Sequence, residues 1–441
     1  MIKNKPYYFH STTYIISAFL LTSIYNPMKT VIILGRQPEL GLAELESLYG
    51  ADNILPIGHQ AALVDIDPCV FNFDRLGGAV KFCKLLTELE SNNWTAIEQF
   101  LITSAPEQST KMPAGKMTLG LSVYGFSMQP RQVQRSGLAI KQAIKATGRN
   151  VRVAPNNDLA LSSAQVIHNK LTSSNGWELV IIKNGPKTII AQTIKVQNIS
   201  AYAKRDQARP ARDARVGMLP PKLAQIIINL AVGQLPNDTL VNVCEAPDQN
   251  DAHVALKGTL LDPFCGSGVI IQEAMIMGYN CIGSDISNRM VDYTRQNIDW
   301  LSAQTNTPIK QQVNLNLTVA DATKFDWPQK PDYVASEIYL GKPLQNLPNQ
   351  TLLNPIIEES NRILGEFLTN IFRQLVPNGR LCLAVPCWRQ TNGQFIHLPV
   401  IDSLGVIGYN RVSFQHYGVS DLIYYRSDQV VARELLVLTR K

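Results

Sequence analysis

The stretch from Gly258 to Gly268 constrains this chain more than any other. An apolar run climbs to Asp262, then Pro263, Phe264, Cys265, Gly266, Ser267 and Gly268 turn the chain, and a helical pattern follows from Val269 to Met277. Strand, glycine loop and helix in that order let a backbone approach a nucleotide-like ligand closely, because glycine has no Cβ and takes positive φ without strain. A second apolar run, Cys281 to Ser284, ends in Asp285, 17 residues past Gly268. That is close to the spacing at which a second strand offers a carboxylate to a ribose diol.

From Gly258 onward strand and helix patterns alternate, which predicts an α/β fold with a doubly wound, mostly parallel sheet. Ligands of such sheets lie at the carboxyl ends of the strands. Runs at Arg411–His416 and Glu434–Thr439 are expected to pair as a terminal antiparallel hairpin. Each of the first three strands delivers an acid: Asp262, Asp285 and, after Leu315–Val319, Asp321 beside Ala322. Asp285 can accept from both ribose hydroxyls, and Asp321 from an adenine amine. Read singly, Asp285 is equally an N-cap and Asp321 equally a turn residue. Pro263, Phe264 and Ile286 complete the expected lining.

Upstream, residues 29–105 read as a small α+β region, with strands at Val31–Leu34 and Ala62–Ile66 and a helix at Glu39–Leu48. Phe71–Leu89 reads as two short helical pieces around Gly77 and Gly78, with Ala79-Val80 as a candidate strand. Ser104–Gly115 is polar with two prolines and reads as a linker. Residues 106–203 follow as β-α-β-α-β-β, closed by a hairpin whose turn is Asn184-Gly185. Residues 204–221 are basic and proline-punctuated, a connector by composition, and 222–441 is the nucleotide-binding domain. Residues 1–28 are expected to be an unstructured extension or a misassigned start, with a targeting segment as the other reading.

Charge is uneven. Residues 111–215 hold 17 Lys and Arg against 4 Asp and Glu, a net +13, which leaves −7 for the rest of a chain whose total is +6. A basic module joined to an acidic remainder points to a polyanion, here nucleic acid, with a solvated surface as the other reading. Its candidates are Arg131, Arg135, Lys141, Lys145, Arg149 and Arg152, with Arg205, Arg209 and Lys222 in the connector. The seven cysteines show neither Cys-x-x-Cys nor zinc spacing, so no metal site is expected. Reduced thiols point to a cytoplasmic protein, and no membrane partner is expected.

Asp262-Pro263-Phe264-Cys265-Gly266-Ser267-Gly268 resembles the first motif of S-adenosylmethionine-dependent amino-methyltransferases. The basic unit resembles a THUMP RNA-binding domain. The connector, from Arg205 through Arg209-Pro210 to Pro220-Pro221-Lys222, resembles the same family: tRNA guanosine N2-methyltransferases that join a ferredoxin-like region, THUMP and a Rossmann-like methyltransferase. That resemblance implies S-adenosylmethionine as cofactor and tRNA or another structured RNA as partner; a small activator protein is not readable here. It also implies a catalytic loop at 336–339. The family pattern is Asp/Asn/Ser-Pro-Pro-aromatic, whereas this chain has Ser336, Glu337, Ile338 and Tyr339. Ser336 would accept from the target amine, Tyr339 would stack on the flipped base, and Glu337 adds a charge where the family has proline. Two other readings follow: a DNA amino-methyltransferase, or a non-catalytic RNA-binding relative.

Overall fold

The computed structural model describes residues 29–66, 71–212, 218–235, 258–304, 313–341, 344 and 346–441. The expectations for residues 1–28 lie outside this set. The chain forms two compact units. One is centred on Phe82–Lys195. The other comprises Ile32–Ala62, Cys69–Lys81 and Val196–Lys441.

The amino-terminal elements are β1 (Thr30–Leu34), α1 (Pro38–Tyr49), β2 (Ile54–Ile57) and β3 (Ala61–Val64); β1, α1 and β3 lie close to their expected bounds, and β2 was not expected. Two expectations fail here. Ala79–Leu89 is a single strand, β4, which begins at the candidate strand Ala79-Val80 and runs on through the expected second helical piece. Ser104–Thr110 is not a linker but the end of helix α2 (Trp94–Thr110). Ile97, Leu101, Ala105 and Ser109 recur every four residues and are all buried, so the stripe outweighs the polar composition. The hydroxyls of Ser104, Ser109 and Thr110 bond back to carbonyls of the same helix, which accommodates them beside Pro106.

The first unit then runs β5 (Met117–Tyr124), α3 (Pro130–Lys145), β6 (Val151–Val153), α4 (Ser163–His168), β7 (Gly176–Asn184) and β8 (Lys187–Val196). This is the expected β-α-β-α-β-β order. Strand β5 pairs in parallel with β6 and β7, and β7 turns antiparallel into β8 with Asn184 opposite Lys187. Its core holds Leu119, Leu121, Ile140, Ile144 and Trp177.

In the second unit, α5 (Ile199–Gln207) occupies the start of the expected connector, and α6 (Pro221–Val232) follows. The sheet then forms from β9 (Thr259–Asp262), α7 (Val269–Ile276), β10 (Asn280–Asp285), α8 (Asn288–Ser302), β11 (Leu315–Val319), β12 (Tyr333–Glu337), α9 (Gln350–Phe372) and β13 (Arg380–Arg389). Short strands β14 (Phe395–Ile396), β15 (Tyr409–Arg411) and β16 (Ile423–Tyr424) precede the long β17 (Val431–Arg440). Strand order is β11-β10-β9-β12-β13-β17-β15, parallel through β13 and antiparallel at β17. Order reverses on either side of β9, so the crevice opens beside Asp262. The terminal antiparallel pairing is present, but its first strand is Tyr409–Arg411 and not 411–416. Leu364, Phe367, Leu368 and Ile371 of α9 pack on Leu381, Leu383 and Leu436 of the sheet.

A buried polar cluster ties α1 to α6. Glu44 accepts from the backbone N–H groups of Gly77 and Gly78 and from Asn229 Nδ2, and Asn229 Oδ1 accepts from Arg75. Burial pushes the Glu44 carboxyl up, against those bonds.

Candidate active site

A cavity of about 790 Å³ lies at the carboxyl ends of β9, β10 and β12. Asp262, Pro263, Phe264, Gly266, Asp285, Ile286, Asp321 and Ala322 all line it, as do Glu337 and Tyr339. Four strand ends read separately in the sequence therefore converge on one space.

The glycine loop owes its shape to bonds on every side. Gly268 caps α7 at φ 82°, and a Cβ there would fall 2.7 Å from Thr294 Cγ2. Gly268 does not line the cavity; its role is close packing against α8. Cys265 N–H donates to the Ser284 carbonyl at 2.8 Å, and Gly266 N–H to Asp285 Oδ2 at 3.0 Å. From behind, Thr294 Oγ1 donates to the Gly266 carbonyl and Asn297 Nδ2 to the Ser267 carbonyl, each at 2.9 Å. Asn297 also clasps both backbone groups of Ala211.

Asp285 is not the N-cap of α8; that position is Ser287. Its Oδ1 accepts Ser287 N–H at 2.9 Å, so each carboxylate oxygen holds one backbone bond and keeps a lone pair for a ligand. Asp321 does make its expected turn, accepting from Thr323 N–H and Oγ1, and those bonds hold its carboxyl below the usual range. It lines the cavity as well, so the two readings are compatible.

Asp262 and Ser336 form a buried pair. Ser336 Oγ donates to Asp262 Oδ1 at 2.6 Å, and Phe264 N–H donates to the same oxygen at 3.4 Å. Burial pushes the Asp262 carboxyl up to about 7 against these bonds, and the charges of Asp285 and Glu337 add to the rise. Ser336 itself is fully buried and outside the lining. The structure thus places it behind the wall, with its hydroxyl proton committed to Asp262. Glu337 takes the wall position, paired by Oε1 with Arg433 Nε at 2.5 Å. Burial raises its carboxyl, and Arg433 opposes that. Tyr339 sits beside the carboxylate of Glu359, and its phenol is raised by burial and then by that charge.

The basic candidates divide. Arg131, Arg135, Lys145 and Arg152 are exposed, and Lys141 is half-buried. Arg149 is a structural bolt, donating to the carbonyls of Ser109 and Pro113 and to Asn175. Arg205 is bound to buried Glu273 by two bonds, at 2.6 and 3.1 Å. Arg209 is 2% exposed, and none of its guanidinium nitrogens has a hydrogen-bond partner among the described residues. Lys222 donates to the Ala79 carbonyl and to Gln197, and burial lowers its pKa to about 8. Arg149, Arg205, Arg209 and Lys222 are therefore not free surface charges. For Arg149, Arg205 and Lys222 the partners lie far along the chain, at Ser109, Glu273 and Ala79.

Residues 257–400 match the family described as a methyltransferase domain. This part of the chain is a methyltransferase domain. Its cofactor class, S-adenosylmethionine, fits the donor set: an acid with free lone pairs on β10, a glycine loop, and the apolar Ile286, Met290 and Ala322. The tRNA (guanine(10)-N2)-dimethyltransferase of Methanothermobacter thermautotrophicus is 26% identical over 221 residues, 49% of this chain and 53% of that one. The chain thus matches about half the length of that relative. TrmN from Thermus thermophilus aligns over 94% of this chain and 100% of its own, at 15% identity and a TM-score of 0.49.

Sequence reasoning missed Thr294, Asn297, Glu359 and Arg433. Thr294 and Asn297 lie three apart on the buried face of α8, a pattern visible as polar residues in an apolar stripe. Arg433 is 96 residues from Glu337, and no local spacing marks it.

Among the described residues, no helix is long and apolar enough to cross a membrane, and no cluster of metal-ligating side chains gathers. The five described cysteines are buried, and none is in a disulfide.

Proposed function

We propose that the chain transfers a methyl group from S-adenosylmethionine to the exocyclic N2 amine of a guanosine in tRNA. The observation that carries this reading is the convergence of the glycine loop, Asp285 and the 336–339 loop on one cavity in a methyltransferase domain. The dimethyltransferase relative supports the choice of substrate.

S-adenosylmethionine supplies an electrophilic methyl on a sulfonium; the methyl carbon bonds to the amine as the carbon–sulfur pair returns to sulfur. The chain's own work is positioning. Asp285 accepts from the ribose hydroxyls, Asp321 from the adenine amine, and the glycine loop, braced by Thr294 and Asn297, sets the backbone against the ligand. At the acceptor end the Glu337 backbone carbonyl and carboxylate take the amine hydrogens, which turns the nitrogen lone pair toward the methyl. The Tyr339 ring stacks on the base. The proton lost from the amine passes to water. The first unit, which we read as THUMP-like, holds RNA through Arg131, Arg135, Lys145 and Arg152 by phosphate contacts.

The test is methyl transfer from labelled S-adenosylmethionine by the full chain, with tRNA and duplex DNA as competing acceptors. Label in tRNA supports the reading. Label in DNA alone favours a DNA methyltransferase, and none in either favours a non-catalytic RNA-binding protein.

A further inference from the structure

Where related loops carry proline, this chain puts a carboxylate in the cavity wall and builds a partner for it. Glu337 ends β12, Arg433 lies on β17, and their side chains are only 16% and 8% exposed. The Arg433 Nε to Glu337 Oε1 bond, at 2.5 Å, fixes the carboxylate's rotamer. Oε2 makes no hydrogen bond among the described residues, and Glu337 lines the cavity. A buried carboxylate whose Oε2 is open, and whose Oε1 keeps a second lone pair beside its bond to Arg433, can accept from two adjacent donors at once.

We infer that Glu337, held by Arg433, is the residue that selects guanine as the acceptor base. The inference rests on the methyltransferase reading and names the specificity of that same site. Its logic is the pattern of donors on each base's Watson–Crick edge. Guanine alone among the standard bases presents two adjacent donors, N1–H and the N2 amine. Adenine and cytosine each place a ring-nitrogen acceptor beside the amine, so a carboxylate would face a lone pair. Uracil has one N–H flanked by carbonyls. A carboxylate therefore attracts guanine and repels the other two amine-bearing bases, and specificity by repulsion is as effective as specificity by attraction. The target of an amino-methyltransferase must carry an amine, so the choice lies among guanine, adenine and cytosine.

Arg433 is a positioning residue in this account. It touches no substrate; it keeps the Glu337 carboxylate charged and aimed. The geometry also explains why the loop tolerates the loss of proline: Glu337 is pinned through its side chain, and Ile338 N–H donates to the Ala384 carbonyl at 3.1 Å.

The experiment is equilibrium binding of GMP, IMP and AMP to the full chain saturated with S-adenosylhomocysteine, for wild type and Glu337→Gln. Wild type should prefer GMP to AMP by at least about tenfold, with IMP, which lacks the N2 donors, between them or near AMP. Glutamine offers one acceptor and one donor, the complement of adenine, so Glu337→Gln should erase or reverse the preference. Arg433→Met should weaken GMP binding with S-adenosylhomocysteine affinity unchanged, and Arg433→Lys should restore part of it. A GMP-to-AMP ratio in Glu337→Gln that stays within twofold of the wild-type ratio, or equal binding of the two by wild type, overturns the inference. The catalytic reading fails separately: GMP selectivity lost in Glu337→Gln, with no methyl transfer to any RNA by wild type, would leave base selection standing and sink the proposed reaction.

Discussion

Asp285 Oδ2 accepts the backbone N–H of Gly266 at 3.0 Å, so the acid at the end of the second strand shapes the loop at the end of the first. One side chain thereby does two things: it sets the glycine loop and offers its remaining lone pairs to a ribose. Replacing it should damage both.

Asp285→Ala is expected to weaken S-adenosylmethionine binding by about 10²-fold, since charge-assisted hydrogen bonds contribute about 1.5–3 kcal/mol each. Asp285→Asn keeps an acceptor at the loop and should lose only about tenfold. Calorimetric titration measures both. A loss under threefold for the alanine variant would place the ribose elsewhere.

The Asp262 carboxyl, at about 7 in the fold against an ordinary 3.8, gives a stability prediction with a definite sign. The folded state holds its proton more tightly than the unfolded state. Its contribution is therefore full below about pH 4 and is lost as pH rises through about 7. Asp262→Asn stays neutral and keeps an acceptor for Ser336. Its stability relative to wild type should rise between pH 4 and 8, by a few kcal/mol at most on the order of the shift. Urea unfolding at pH 5 and pH 8 reads this. A difference that does not change with pH contradicts it.

Arg205 and Arg135 are both basic residues in the positive stretch, and they should behave oppositely. Arg205→Ala leaves the Glu273 carboxylate, 1% exposed, without its charged partner and with only the Gln225 amide bond at 3.0 Å. Removing one side of such a buried pair costs about 3–5 kcal/mol, which thermal unfolding will show as a large fall in Tm. Arg135→Ala, on the exposed face of α3, should leave Tm unchanged. It should instead weaken RNA binding and reduce the salt slope by about one. Equal behaviour of the two would overturn this division.

These contrasts mark what was legible in the sequence. Period and turn chemistry are local, so β5 to β8 and the Asn184-Gly185 turn were readable, as was the strand–loop–helix at Asp262 to Gly268. The acids at 262, 285 and 321 were readable because parallel strands deliver their last residues to one edge. Helix α2 was hidden because its serines and threonines satisfy themselves within the helix, which composition alone cannot reveal. The fates of Arg149, Arg205 and Lys222 depend on partners far along the chain: Ser109, Glu273 and Ala79. The exchange of Ser336 for Glu337 at the cavity wall depends on Asp262 and Arg433. Charge was visible in the sequence; whether a charge faced water or a buried partner was not.

The central claim is tested most directly by nucleoside mass spectrometry of tRNA incubated with the full chain and S-adenosylmethionine. The account predicts N2-methylated guanosine, abolished in Asp285→Ala. Methylated adenosine or cytidine, or N2-methylguanosine formed equally well by the Asp285→Ala variant, would contradict it.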